Sequence, residues 1–66
     1  MFRFAKFTRP ITGNEFYVDA SKVVDIFVTC TGVTMITYFD GVEPQEVDIS
    51  EFPSTAALII EAAINA

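Results

Sequence analysis

The side chains best able to carry chemistry in this sequence are carboxylates, and five of them fall within twelve residues. They are Asp40, Glu43, Glu46, Asp48 and Glu51. Carboxylate oxygens are the ligands that hard cations such as Ca²⁺ prefer, but the stretch lacks the regular ligand spacing of a calcium-binding loop. We therefore expect no metal ion and no cofactor here.

An edge strand accounts for part of this acidic stretch. Glu46 and Asp48 alternate with Val47 and Ile49, as outward residues alternate with inward ones along a strand. Charges on an edge strand also discourage sheets from pairing with one another. The alternative is an acidic surface that binds a basic partner protein. Its residues would be Asp40, Glu43, Glu46 and Asp48.

The residue types that most enzymatic reactions need are missing. The chain has no histidine, which is the usual acid and base at neutral pH and the commonest transition-metal ligand. Cys30 has no cation near it in the sequence, so we expect a half-buried structural thiol rather than a nucleophile. The three glycines fall where turns are expected, and none belongs to a phosphate-binding loop. The sequence predicts a protein without enzymatic activity.

Positive and negative charges are separated along the chain. All four cations, Arg3, Lys6, Arg9 and Lys22, lie in residues 1–22, whose formal charge is +2, whereas residues 23–66 carry −7. Affinity for nucleic acid comes from cations that displace counterions, so a net charge of −5 argues against direct nucleic-acid binding. We expect Arg3, Lys6 and Arg9 to neutralise an acidic edge of the same sheet or of a neighbouring subunit. Neutralisation within the chain requires the first and fifth predicted strands to be adjacent.

Length and cysteine content indicate a small intracellular domain. The 66 residues make one domain, near the lower size limit for folding without a metal, a disulfide or a partner. One cysteine cannot form an intramolecular disulfide, which predicts a reducing, cytoplasmic location. The longest apolar run, residues 56–60, is far below the roughly 20 residues that span a bilayer, so we expect no membrane insertion.

Apolar alternation and turn signals predict five strands and one helix. The strands are expected at residues 2–9, 15–19, 23–29, 33–39 and 42–49, and the helix at residues 54–65. Ser54 is the predicted N-cap of the helix. Pro44 has no amide hydrogen to donate, which predicts an edge position for the fifth strand.

The first strand contains a change of phase. Phe2 and Phe4 are two residues apart and lie on one face of a regular strand, whereas Phe7 is three residues after Phe4 and lies on the other face. A bulge near Ala5 and Lys6 would bring them together.

These elements predict an α+β fold: a small antiparallel β-meander of about five strands with one C-terminal helix. Both faces of the meander are apolar, since Ile26 lies on one face of its strand and Phe27 on the other. One helix covers one face only, so we expect either a small barrel or a homo-oligomer. The predicted apolar interface consists of Phe27, Phe39, Ile60 and Ile64.

The order of short motifs adds a resemblance to a known family. TRPITGNEFYVD is followed by VVDI, by VTMITYFDG, and then by an acidic strand and a helix. Over residues 7–64 this layout resembles the small flagellar FlbD-like proteins, although the strand after the glycine turn tends to be basic in that family. The family has no catalytic residues, so the resemblance implies a non-enzymatic accessory role.

The functional prediction is a non-enzymatic, acidic protein–protein interaction module that self-associates. The alternative is an acidic inhibitor of the type that viruses encode, which presents carboxylates where a basic protein would hold phosphates. High salt should weaken such an electrostatic complex more than it weakens an apolar interface.

Overall fold

The computed structural model describes residues 3–65, which form five strands, a short 3₁₀ turn and one helix. The strands are β1 (Phe4–Thr8), β2 (Glu15–Asp19), β3 (Val23–Val28), β4 (Thr34–Phe39) and β5 (Pro44–Ile49). The 3₁₀ turn is Ala20–Lys22, and the helix α1 is Pro53–Ile64. This architecture confirms the predicted α+β class with five antiparallel strands and a C-terminal helix.

The strands form two sheets instead of the single predicted meander, and the small barrel that was one of the two expected alternatives is not supported. β1 and β2 make an antiparallel hairpin, while β3, β4 and β5 make a separate sheet in that order. The described strands therefore do not close on themselves. The edge position predicted for β5 within its sheet is confirmed.

The bulge lies in β3, not in β1. The ladder between β1 and β2 is unbroken from Phe4 to Thr8, so Phe7 is fully buried while Phe4 on the opposite face is 56% exposed. Small Ala5 takes the second inward position. Phe2, the third phenylalanine of the predicted cluster, lies outside the described residues. In the pairing of β3 with β4 the register shifts at Val24.

The hydrophobic core lies between the two sheets and under the helix. Its largest fully buried side chains are Phe7 from β1, Ile36 from β4 and Ile49 from β5. Further buried apolar residues are Ala5, Val18, Ala20, Val47 and Ala56. The Phe16 and Tyr38 rings, 5.8 Å apart between centroids, connect β2 to β4. Each strand except β3 therefore contributes a buried residue to one small core.

The helix begins without the predicted side-chain cap. Phe52 is the N-cap residue, Pro53 occupies the first helical position, and no side chain accepts a hydrogen bond from the first turn. Proline suits this position because its fixed φ is helical and its missing N–H would lack a partner there anyway. At the other end, the guanidinium of Arg3 donates to the Ile64 carbonyl oxygen, where a cation offsets the helix dipole.

The two sheets meet where β1 and β5 end. The Ser50 N–H donates to the Thr8 carbonyl oxygen over 2.8 Å, and the Thr8 N–H donates to Glu51 Oε1 over 3.1 Å. Close by, Arg9 Nη2 lies 2.9 Å from Asp48 Oδ1. The basic first strand and the acidic fifth strand are therefore joined at one end.

Phe7 is the residue whose truncation should damage this core most. Phe7→Ala leaves a cavity that neighbouring side chains cannot fill, and we expect it to lower the free energy of unfolding by about 3–5 kcal/mol. Urea unfolding followed by circular dichroism measures the change. Phe52→Ala, at a 76% exposed phenylalanine, is the matched control and should cost less than about 1 kcal/mol. Equal losses in the two variants would contradict this description of the core.

Candidate functional site

A shallow groove runs between β3 and the second half of α1. Its volume is about 430 Å³. Its lining is mostly apolar and includes two carboxylates. The lining residues are Val23, Val24, Asp25, Ile26, Ala57, Ile60, Glu61, Ile64 and Asn65. We call this feature the β3–α1 groove.

One wall of the groove is an unpaired strand edge. β3 pairs with β4 on one side, and no strand among residues 3–65 pairs with its other side. Thr29 N–H donates to the Val33 carbonyl oxygen at the β3–β4 turn. Because bonded and non-bonded pairs alternate in an antiparallel ladder, the main-chain groups of Ile26 and Val28 point toward the open edge.

This open edge is also apolar. Val24 is 70% exposed and Val28 is 51% exposed, and Asp25 is the only charged residue of β3. Edge strands usually carry lysine, proline or a bulge that hinders pairing with another sheet. Of these devices β3 has only the register shift at Val24.

The other face of the three-stranded sheet carries apolar and acidic side chains together. Cross-strand register places Phe27, Met35 and Asp48 in one row and Asp25, Thr37 and Glu46 in the next. These rows lie opposite the inward row of Ile26, Ile36 and Val47. We call Asp25, Phe27, Met35, Thr37, Phe39, Glu46 and Asp48 the outer sheet face.

The four predicted apolar interface residues do not form one surface. Ile60 and Ile64 line the β3–α1 groove, whereas Phe27 and Phe39 lie on the outer sheet face. Ile60 is half-buried and packs against the core, and Ile64 remains 39% exposed. Sequence periodicity identified apolar surplus on each element but could not show that the elements present it in different directions.

The four predicted acidic residues are divided as well. Glu46 and Asp48 lie on the outer sheet face, while Asp40 and Glu43 lie in the turn between β4 and β5. Asp40 stabilises that turn: its Oδ1 accepts from the N–H groups of Val42 and Glu43 over 2.8 and 2.9 Å. Its Oδ2 accepts from the Gln45 side-chain amide over 3.0 Å. Asp40 is therefore a structural residue of the turn.

Hydrogen bonds also change the acidity of exposed groups. The N–H groups of Glu43 and Val42, in that order, hold the pKa of Asp40 below its ordinary value. Hydrogen bonding from Ser21 likewise lowers the pKa of Asp19. The Tyr17 hydroxyl donates to Glu15 over 2.8 Å, which raises the pKa of Tyr17. All three groups serve local structure, and none faces the groove.

Cys30 is exposed, so the expectation of a half-buried thiol is wrong. It lies in the tight turn between β3 and β4, where Gly32 has a positive φ of 85° and its N–H donates to the Thr29 carbonyl oxygen. A turn of this kind points its central side chains into solvent. Within residues 3–65, no three histidine, cysteine or carboxylate side chains are grouped as a metal site would require.

Comparisons with known proteins do not assign the chain. No protein-family model matches it, and neither the curated proteins nor the solved structures yielded a match. The FlbD-like resemblance therefore stays a prediction. Among the described residues, no helix has the length and apolar character that crossing a membrane requires.

The role of Asp40 predicts a pH dependence of stability. A carboxylate whose pKa is lower in the folded state stabilises the fold above its unfolded pKa, and this contribution is lost as the pH falls through the folded pKa. An ordinary aspartate titrates near 3.9, so we expect this contribution to be intact at neutral pH and the free energy of unfolding to fall as the pH drops below about 5. In Asp40→Asn the amide oxygen can still accept hydrogen bonds, so the free energy of unfolding of this variant should fall less steeply with pH.

Urea unfolding at a series of pH values measures this slope. Asp25→Asn is the control, because it removes a carboxylate that accepts no side-chain hydrogen bond from residues 3–65. Its free energy of unfolding should decline with falling pH as in the wild type. If Asp40→Asn and Asp25→Asn lose stability with pH in parallel, Asp40 does not hold the turn as described.

The Arg9–Asp48 pair predicts a small coupling between the two sheets. The side chains are 42% and 30% exposed, and Arg9 Nε is buried without a hydrogen-bond partner in the described residues. A double-mutant cycle with Arg9→Met and Asp48→Asn should give about 0.2–1 kcal/mol, the range for solvent-exposed pairs. The same cycle on Lys6 and Glu15, which are 4.0 Å apart and more exposed, is the control and should give less.

Proposed function

We propose that this chain is a non-enzymatic protein–protein interaction module that self-associates through the open edge of β3. The occupant of that edge is the β3 strand of a second copy, paired antiparallel. The observation that carries the proposal is an unpaired, apolar strand edge beside the β3–α1 groove. Main-chain pairing would satisfy the exposed N–H and C=O groups of the edge.

A two-fold axis through Ile26 gives a register without like charges in contact. In this register Ile26 faces its own copy, and Val24 faces Val28 of the other chain. Asp25 then lies opposite Phe27 and not opposite another carboxylate. Registers centred on Asp25 would place two carboxylates directly opposite each other, which destabilises a cross-strand pair.

The groove supplies apolar surface to the same contact. Val24 lines it together with Ile60 and Ile64, so a strand added at this edge would cover side chains from both β3 and α1. Burial of apolar surface is the main favourable term in such an association, at roughly 25 cal/mol per Å². Val24 is 70% exposed, more than Val28 on the same edge or Ile64 in the groove, and so has more surface to bury in this contact.

Net charge opposes this association at long range. Two copies each carry −5, so their mutual repulsion should be screened as salt is added. We therefore expect self-association to strengthen or stay constant with rising ionic strength. A complex held by opposite charges would show the reverse.

Val24→Lys tests the interface directly. A lysine at this edge position blocks strand pairing and adds charge to the apolar contact. We expect the dimer dissociation constant, measured by sedimentation equilibrium, to rise at least about tenfold, equivalent to about 1.4 kcal/mol. Val42→Lys introduces the same charge at an 87% exposed position in the β4–β5 turn and should leave the constant nearly unchanged.

Ile64→Asp provides a second test on the helix side of the groove. It should weaken the dimer while leaving the unfolding midpoint close to that of the wild type, since Ile64 is 39% exposed. A wild-type chain that stays monomeric in light scattering at high concentration contradicts the proposal. Equal effects of Val24→Lys and Val42→Lys would show that charge, not strand pairing, controls association.

The acidic-inhibitor alternative finds less support in the geometry. Three of its four carboxylates already have partners within the chain, since Asp40 accepts hydrogen bonds in its own turn, Glu43 accepts from the Gln45 amide, and Asp48 pairs with Arg9. Phosphate mimicry needs carboxylates that are free to meet cations of another protein. The exposed thiol of Cys30 favours a reducing compartment, so the cytoplasm stays the proposed location.

A further inference from the structure

The outer sheet face has a pattern that the self-association proposal does not use. Along the central strand β4, Met35 and Phe39 lie on this face with Thr37 between them. Phe39 is 43% exposed, and Met35 is half-buried. Phe27 extends the apolar strip onto β3 as the direct neighbour of Met35. The middle of the face is therefore an apolar strip that follows β4.

Carboxylates flank this strip on both sides. Asp25 on β3 and Glu46 on β5 both pair in register with Thr37, so they stand on opposite sides of the central strand. Both are exposed, and neither side chain has a hydrogen-bond or ion-pair partner within residues 3–65. Asp48 also lies on the β5 side but is already paired with Arg9. The charges that remain available are one on each flank.

The dimensions of the face match those of a helix. Neighbouring strands are about 4.8 Å apart, so β3 and β5 are separated by about 10 Å. An α-helix with its side chains is about 10–12 Å across. A helix lying along β4 would place its apolar stripe on Met35 and Phe39 and its two flanks above Asp25 and Glu46.

We infer that the outer sheet face binds a cationic amphipathic helix of a partner protein. Lysine or arginine on each flank of that helix would meet Asp25 on one side and Glu46 on the other. A second copy of this chain cannot supply such a helix, because α1 contains no cation. The partner is therefore a different protein, and its site lies mainly on β4 and β5, sharing only Asp25 and Phe27 with the β3 edge.

The test uses three synthetic 14-residue helical peptides against the full chain. One has leucine at i, i+3, i+4 and i+7 positions with lysine on both flanks. A second has glutamate in place of lysine, and a third has the composition of the first in scrambled order without an apolar stripe. Fluorescence anisotropy gives their dissociation constants at low and physiological salt, and light scattering of the same samples reports the mass of the complex.

We expect only the ordered lysine peptide to bind tightly, with an affinity that falls as salt rises. The double variant Asp25→Asn, Glu46→Gln should weaken it roughly threefold to tenfold, the effect of two exposed ion pairs. Phe39→Ala should weaken it as well. Glu43→Gln, which removes an exposed carboxylate from the adjacent turn, and Phe52→Ala are matched controls and should change the constant less than about twofold.

Several results would overturn the inference. The first is that the lysine peptide does not bind. The second is that the scrambled peptide binds equally well, and the third is that Glu43→Gln weakens binding as much as the double variant does. Either of the last two results would indicate diffuse attraction between a cationic peptide and an acidic chain. Loss of binding in Val24→Lys would place the peptide at the β3 edge instead. A chain that binds the peptide but stays monomeric would support this inference while contradicting the self-association proposal.

Discussion

The contact between the ends of β1 and β5 determines how the two sheets pack on one another. There the Ser50 N–H donates to the Thr8 carbonyl oxygen, and the Thr8 N–H donates to Glu51 Oε1. A two-stranded hairpin is at best marginally stable alone, and a three-stranded sheet needs cover for its apolar face. Joining them at the ends of β1 and β5 places Phe7 against Ile36 and Ile49, and α1 covers the remaining side. The same arrangement leaves the far edge of β3 unpaired. An open strand edge is therefore a consequence of how this small core is enclosed.

The positive charges near the start of the chain pair with acidic or carbonyl groups, some of them far away in the sequence. Arg9 pairs with Asp48 where β1 meets β5, and Arg3 donates to the carboxyl end of α1. Lys6 lies 4.0 Å from Glu15 across the hairpin. Three of the four cations therefore have partners within the molecule. Unpaired carboxylates are left on the outer sheet face, where they surround apolar side chains instead of standing alone.

The elements themselves were readable from local sequence. Alternating apolar residues, turn glycines and Pro44 predicted five strands and the edge position of β5, because these signals act within a few residues of each other. Local signals were misleading where two of them competed. The parity of Phe4 and Phe7 suggested a bulge, but a small inward Ala5 and a regular ladder satisfy the core. Pro53 likewise started the helix one residue before Ser54 could cap it.

What the sequence alone determined is the inventory: strands, helix, an apolar surplus, an acidic second half and the absence of histidine. Tertiary structure decided which of these features share a surface. Phe27 and Phe39 lie with Glu46 on the outer sheet face. Ile60 and Ile64 lie with Val24 in the β3–α1 groove. Asp40 accepts hydrogen bonds within its own turn. The reason is that side-chain direction follows from local periodicity, whereas the packing of one element on another depends on contacts between residues some forty positions apart, as between Thr8 and Ser50.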